Sequence, residues 1–186
     1  SGLGNFDISS GGMLYYYNAS IMSSGKKGRG TRHRVVTYWY KDTSGNTVRK
    51  VVNCYCIQPK LTAPDEGTFG PERAESLKDS SLISKALYYL YEGPMWNTTI
   101  KVGDKYVNMK KVLDTYPNNT TDANSKNTYT YYALTHFILG YMYCGGPAHA
   151  DLWNYEDDGI SGTVFNQAGI DWLYQLKLLL MDMPAP

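Results

Sequence analysis

The hydrophobic pattern changes character along the chain. Between Thr31 and Cys56, β-branched and aromatic residues dominate two runs, Arg34 to Tyr40 and Thr47 to Cys56, around the polar stretch Lys41-Asp42-Thr43-Ser44-Gly45-Asn46. Runs of this kind flanking a Gly-Asn turn predict a long hairpin with Cys56 at the end of its second strand. Met13 to Tyr17 predicts a further strand, separated from the hairpin by the Gly/Lys-rich loop Ser23 to Gly30. After Pro59 the chain is punctuated by Pro64, Gly67, Gly70 and Pro71. A helical pattern then starts at Ser80 or Ser81 as N-cap, continues through Leu82, Ile83, Ala86, Leu87 and Leu90, and stops at Gly93-Pro94.

Further along, Ile100 to Val107 predicts a tight hairpin or the lead-in to a helix at Met109 to Leu113, and Pro117 to Thr128 a polar loop. Thr130 to Tyr143 has almost no charge on any face, and a helix apolar all round belongs inside. The last predicted helix covers Asn166 to Asp182. Strands early and helices later make the fold class α+β, an N-terminal antiparallel β-sheet or sandwich with a helical C-terminal half. The length of 186 residues suits one domain over 1–183, in one or two lobes, with Pro184-Ala185-Pro186 as the start of a linker.

Composition alters this picture in two places. Eighteen tyrosines stand against four phenylalanines, so most aromatic burial carries a hydroxyl that wants a partner or a contact surface. Charged residues are 19% of the chain and the net charge is +1, which excludes a strong field for nucleic acid or acidic membranes. No run of about 18 apolar residues is present to span a membrane.

Three cysteines, Cys54, Cys56 and Cys144, leave at least one thiol uncommitted to a disulfide within the chain. A Cys54–Cys144 bridge is the preferred pairing and leaves Cys56 available. Zinc is disfavoured because structural zinc sites use two ligand pairs and only one is present. The acidic run Glu156-Asp157-Asp158-Gly159 lacks the alternating spacing of a calcium loop. No cofactor or metal is implied. Cys56, in Tyr55-Cys56-Ile57-Gln58-Pro59, sits where a proline ends the strand, and thiols at element ends are accessible to reaction.

Three segments carry a resemblance in the same order along roughly residues 30 to 180. Tyr55-Cys56-Ile57-Gln58-Pro59 resembles the cysteine motif of the thioester domains of Gram-positive surface adhesins. Ala86-Leu87-Tyr88-Tyr89-Leu90-Tyr91-Glu92-Gly93-Pro94 resembles their helix ending in a tyrosine-glycine-proline corner. Ala133-Leu134-Thr135-His136-Phe137-Ile138-Leu139-Gly140-Tyr141 resembles their threonine-glutamine-x-alanine helix.

The resemblance implies a domain in which a cysteine thiol displaces ammonia from a glutamine carboxamide, giving an internal thioester that an amine on a host surface protein or another ligand attacks. It also implies a monomeric, secreted, cell-wall-anchored module of a larger multidomain protein, acting once rather than as an enzyme. Binding contacts fall to Tyr55, Tyr88, Tyr89 and Thr135. One departure is chemical: His136 stands at the family's glutamine position, and an imidazole has no acyl group to donate. Gln58 and Gln167 are then the candidate thioester partners. Gln58 lies two residues from Cys56, roughly 6.5 to 7 Å between Cα atoms on a regular strand. Alternatively, Cys56 and His136 form a thiolate-imidazolium pair, as in a cysteine peptidase or acyltransferase, or the domain binds without a bond through its tyrosines.

Overall fold

The computed structural model describes residues 4–15, 30–57, 67–69, 80–116, 128–144 and 167–186. Strands β1 (Phe6–Tyr15), β2 (Gly30–Lys41), β3 (Thr47–Cys54) and β4 (Gly67–Phe69) form one antiparallel sheet in the order β3-β2-β1-β4. The β2–β3 hairpin owes its register to its turn. Asp42 Oδ1 accepts from the backbone N–H groups of Ser44 and Asn46 at 2.9 and 2.8 Å, and Gly45 takes φ +80°. A short acidic side chain that folds back on its own turn, followed by glycine in the left-handed region, closes such a loop at little cost. From there the pairing runs from Lys41↔Thr47 to Arg34↔Cys54.

Two features depart from the sequence expectation. β1 begins at Phe6 rather than Met13, because Ser9-Ser10-Gly11-Gly12, poor strand formers, are carried in a register shift between Ser10 and Met13. Tyr16 and Tyr17 lie outside the described residues. β3 ends at Cys54, so Cys56 lies two residues past the ladder and not on the strand itself.

Helix α1 (Ser80–Tyr89) is followed by the ribbon β5 (Ile100–Val102) and β6 (Lys105–Val107), and then by α2 (Met109–Leu113). Ribbon and helix are thus both present. Asn108 caps α2, its Oδ1 accepting from Lys111 N at 3.2 Å. α3 (Thr128–Cys144) and α4 (Gln167–Asp182) complete the described elements.

α3 is the axis of the molecule. Every residue from Tyr131 to Met142 is buried, because β1 and β2 cover one side while α1 and α4 cover another. Ile83 and Ala86 of α1, Leu90 just past its end, and Leu173, Leu176 and Leu180 of α4 share one buried core with α3. Each of the leucine and isoleucine side chains contributes about 1.5–3 kcal/mol on burial. The fold is therefore α+β, an antiparallel sheet packed on a helical layer.

Candidate functional site

The site is built where the hairpin ladder runs out. Arg34↔Cys54 is the last pair of β2 and β3, and the hydroxyl of Tyr132 on α3 meets both residues. It accepts from the Arg34 N–H at 3.1 Å and donates to the Cys54 carbonyl at 2.7 Å. A side chain from the core helix thus occupies the point at which β3 stops. Tyr132 is wholly buried, and a hydroxyl can be buried there only with such partners.

The chain leaving the ladder is then laid on α3. The Tyr55 ring stacks on Tyr132, with centroids 4.9 Å apart and planes 20° apart. His136 follows Tyr132 by one helical turn and shares its face. Its ring lies 6.3 Å from that of Tyr132 and 6.2 Å from that of Tyr55. Cys56, the next residue after Tyr55, is half-buried. Its charge contributes to raising the pKa of both Tyr132 and Cys54, so its thiol lies within electrostatic range of each. Tyr55, Cys56, Tyr132 and His136 therefore form one neighbourhood assembled from the end of β3 and one face of α3.

The electrostatics of this neighbourhood separate its members. Burial, with a smaller effect from the Arg34 guanidinium, lowers the His136 pKa to about 4, so the imidazole is neutral at neutral pH. That environment opposes the imidazolium half of a thiolate-imidazolium pair. Burial pushes the Cys54 thiol up to about 11, partly offset by Arg34, which makes it a poor nucleophile. Cys54 is a free thiol, so the expected Cys54–Cys144 bridge is not formed: Cys54 sits in the ladder opposite Arg34, desolvated beneath Tyr132. Burial also raises Tyr132 to about 12 and Tyr55 well above the usual phenol range.

The remaining sequence candidates divide. Thr135 is buried, and its Oγ1 accepts from Tyr91 N at 3.4 Å, tying α3 to the end of α1. Tyr89 is buried too, donating from its hydroxyl to the Pro184 carbonyl at 2.6 Å, with Tyr88 edge-on against it at 5.0 Å. In this structure Thr135 and Tyr89 hold the helices together and offer no surface to a ligand, while Tyr88 is half-buried. Gln167 is the first residue of α4, and Gln58 lies outside the described residues. Trp39 and Tyr40 are exposed at the turn end of the hairpin, away from Cys54. Among the described residues no group of three or more His, Cys, Asp or Glu could hold a metal ion, and no helix is long and apolar enough to cross a membrane.

The family model for the thioester domain matches residues 26–176. The chain belongs to the thioester domain family. Comparison with curated proteins and with solved structures found no match. The thioester domain family is known for adhesion through covalent linkage to ligands and is not a family of conventional enzymes; it implies surface-exposed proteins. The matched stretch includes β2, β3, α1, α3 and the start of α4, hence every residue of the Tyr55, Cys56, Tyr132 and His136 neighbourhood.

Sequence reasoning missed Tyr132 and a second polar group beside it. Asn53 donates from Nδ2 to Glu92 Oε2 at 2.9 Å, and its Oδ1 faces His33 Nε2 at 2.8 Å. The His33 ring in turn meets the edge of Tyr132 at 4.5 Å. Glu92 sits at φ +57° in the corner that ends α1. The next residue must be glycine: a Cβ on Gly93 would lie 2.2 Å from the Leu87 carbonyl oxygen and 2.7 Å from that of Tyr88. The glycine-proline corner was visible in the sequence as a helix stop. That it delivers a carboxylate to β3 was not.

Proposed function

We propose that this thioester domain is a surface-displayed adhesion module that attaches covalently to an amine-bearing ligand, such as a host surface protein, through Cys56. In the forming step the Cys56 sulfur bonds to the carboxamide carbon of a glutamine, the C–N bond breaks and ammonia leaves. In the capture step a ligand amine attacks that carbonyl, the C–S bond breaks, an amide forms and the Cys56 thiol is returned. No oxidant or cofactor enters either step, and each domain reacts once.

The observation that carries this reading is the docking of Tyr55-Cys56 against α3, with Tyr55 stacked on Tyr132 and 6.2 Å from His136, the residue at the family's glutamine position. This arrangement brings the cysteine segment to the helix the family uses and buries the surroundings from water, as a stored acyl group requires. Because His136 cannot supply the acyl group, Gln58 or Gln167 does so. The neutral state of His136 favours this over a cysteine peptidase, which would need it as a strong base. A secreted, wall-anchored, multidomain parent and a monomeric state are part of the same proposal.

The test is capture of a biotinylated primary amine. The wild-type domain is expected to take up one label per chain, on Gln58 or Gln167, and Cys56→Ala none. Equal labelling of the two proteins would sink the proposal, as would repeated turnover of an acyl substrate.

A further inference from the structure

The corner after α1 and the end of β3 enclose a cleft of about 280 Å³, lined among others by Val51, Asn53, Tyr55, Leu87 and Glu92. Its chemistry is uneven. Val51 and Leu87 are exposed aliphatic walls. At one end stands the Glu92 carboxylate. It is exposed and, among the described residues, has no partner cation; its one bond is the hydrogen bond from Asn53. Tyr55 also lines the cleft, its hydroxyl buried and, among the described residues, without a hydrogen-bond partner.

The carboxylate is held from two directions. Since Asn53 Nδ2 donates to Glu92, its Oδ1 is the acceptor toward His33, which places the proton of that ring on Nε2. From the backbone side, Glu92 occupies the left-handed region, which costs a non-glycine residue about 1–2 kcal/mol. Gly93 is wedged against the last turn of α1. A side chain kept in a strained corner and tied through an amide to a second strand is preorganised, and strain of this kind gathers at ligand sites. A fixed anion at the end of an aliphatic trough complements a cation carried on a methylene chain.

We propose that this cleft is a recognition site for an alkylammonium group, the side chain of a lysine or a free diamine. The ammonium sits on Glu92 and the methylenes lie along Leu87 and Val51. The proposal extends the amine-capture reading by naming what selects the amine, and it rests on that reading for its purpose. Recognition itself involves no bond to Cys56, so the two are separable.

The experiment is an NMR titration of the Cys56→Ala domain, which cannot form an acyl bond at that position. The charged probes are Nα-acetyllysine methylamide and cadaverine, and the neutral probe is Nα-acetylnorleucine methylamide. At least one charged probe is expected to bind saturably, shifting the amides of Asn53, Leu87 and Glu92, while the neutral probe does not. Glu92→Gln keeps an acceptor for Asn53 but removes the charge, and should weaken binding about tenfold or more. Binding of the lysine derivative alone assigns the site to a protein ligand, and binding of cadaverine alone to a free diamine. Unchanged affinity in E92Q, equal binding of the neutral probe, or no binding of either charged probe overturns the proposal. Failure of amine capture by the wild-type domain would refute the covalent reading and leave this result standing.

Discussion

The Tyr132 hydroxyl donates to the Cys54 carbonyl at 2.7 Å while accepting from the N–H of Arg34, the residue paired with Cys54. One phenol thereby satisfies the last donor and acceptor of the β2–β3 ladder and fixes where the chain turns toward α3. Tyr132→Phe keeps the ring that stacks on Tyr55 but leaves both backbone groups unsatisfied. It should cost about 2 kcal/mol in denaturant unfolding. It should also speed alkylation of Cys56 in the folded protein once methylamine has released the thiol, because the segment is no longer held. A loss of stability with unchanged Cys56 kinetics would limit Tyr132 to packing.

The Cys54 thiol is poorly available. With Cys54 pushed up to about 11 by burial, its thiolate fraction at mildly alkaline pH falls about a hundredfold below that of an exposed cysteine. Iodoacetamide labelling followed by peptide mapping should therefore find Cys54 slow in the native domain and fast in denaturant. Rapid native labelling of Cys54 would place the end of β3 in a more open state.

His136 makes stability depend on pH. Its folded pKa is lowered to about 4 from 6.5, so between these values the unfolded chain binds the proton and the folded chain does not. The neutral ring's stabilising contribution is complete above about pH 6.5 and is lost progressively as pH falls toward 4, to a total of about 3 kcal/mol. Urea midpoints at pH 7 and pH 4.5 measure it. His136→Gln should flatten this dependence. The same variant places a carboxamide at the family's glutamine position, so its thioester is expected to move to residue 136, detected by peptide mapping as methylamine labelling at 136 in place of Gln58 or Gln167.

The corner after α1 depends on the absence of a single carbon. Gly93→Ala places a methyl 2.2 Å from a backbone oxygen that cannot retreat without unwinding α1. A loss of about 3 kcal/mol or more is expected. Gly45→Ala, in open space at φ +80°, should cost only about 1 kcal/mol. Thermal unfolding of the pair separates a steric wedge from simple backbone preference.

What the sequence revealed followed from strong local signals. The hairpin was legible because Val, Thr and Tyr runs flank an Asp-Thr-Ser-Gly-Asn turn that bonds to itself, and α3 because an uncharged helix has nowhere to go but the core. β1 was only half legible, since a strand containing Ser-Ser-Gly-Gly is stabilised by its neighbours and not by its own residues. Cys56 was placed near a strand end, which holds to within two residues. The contacts that position it were hidden. Nothing local marks Tyr132 among eighteen tyrosines, and the Asn53–Glu92 bond joins residues that only the tertiary fold brings together.

The most direct test of covalent attachment through Cys56 is the intact mass of the native domain, before and after exposure to methylamine. The native domain is expected to be short by one ammonia and then to add one whole methylamine, at Gln58 or Gln167, with Cys56 alkylated only afterwards. A full mass from the outset, with Cys56 alkylated in the untreated protein, would contradict it.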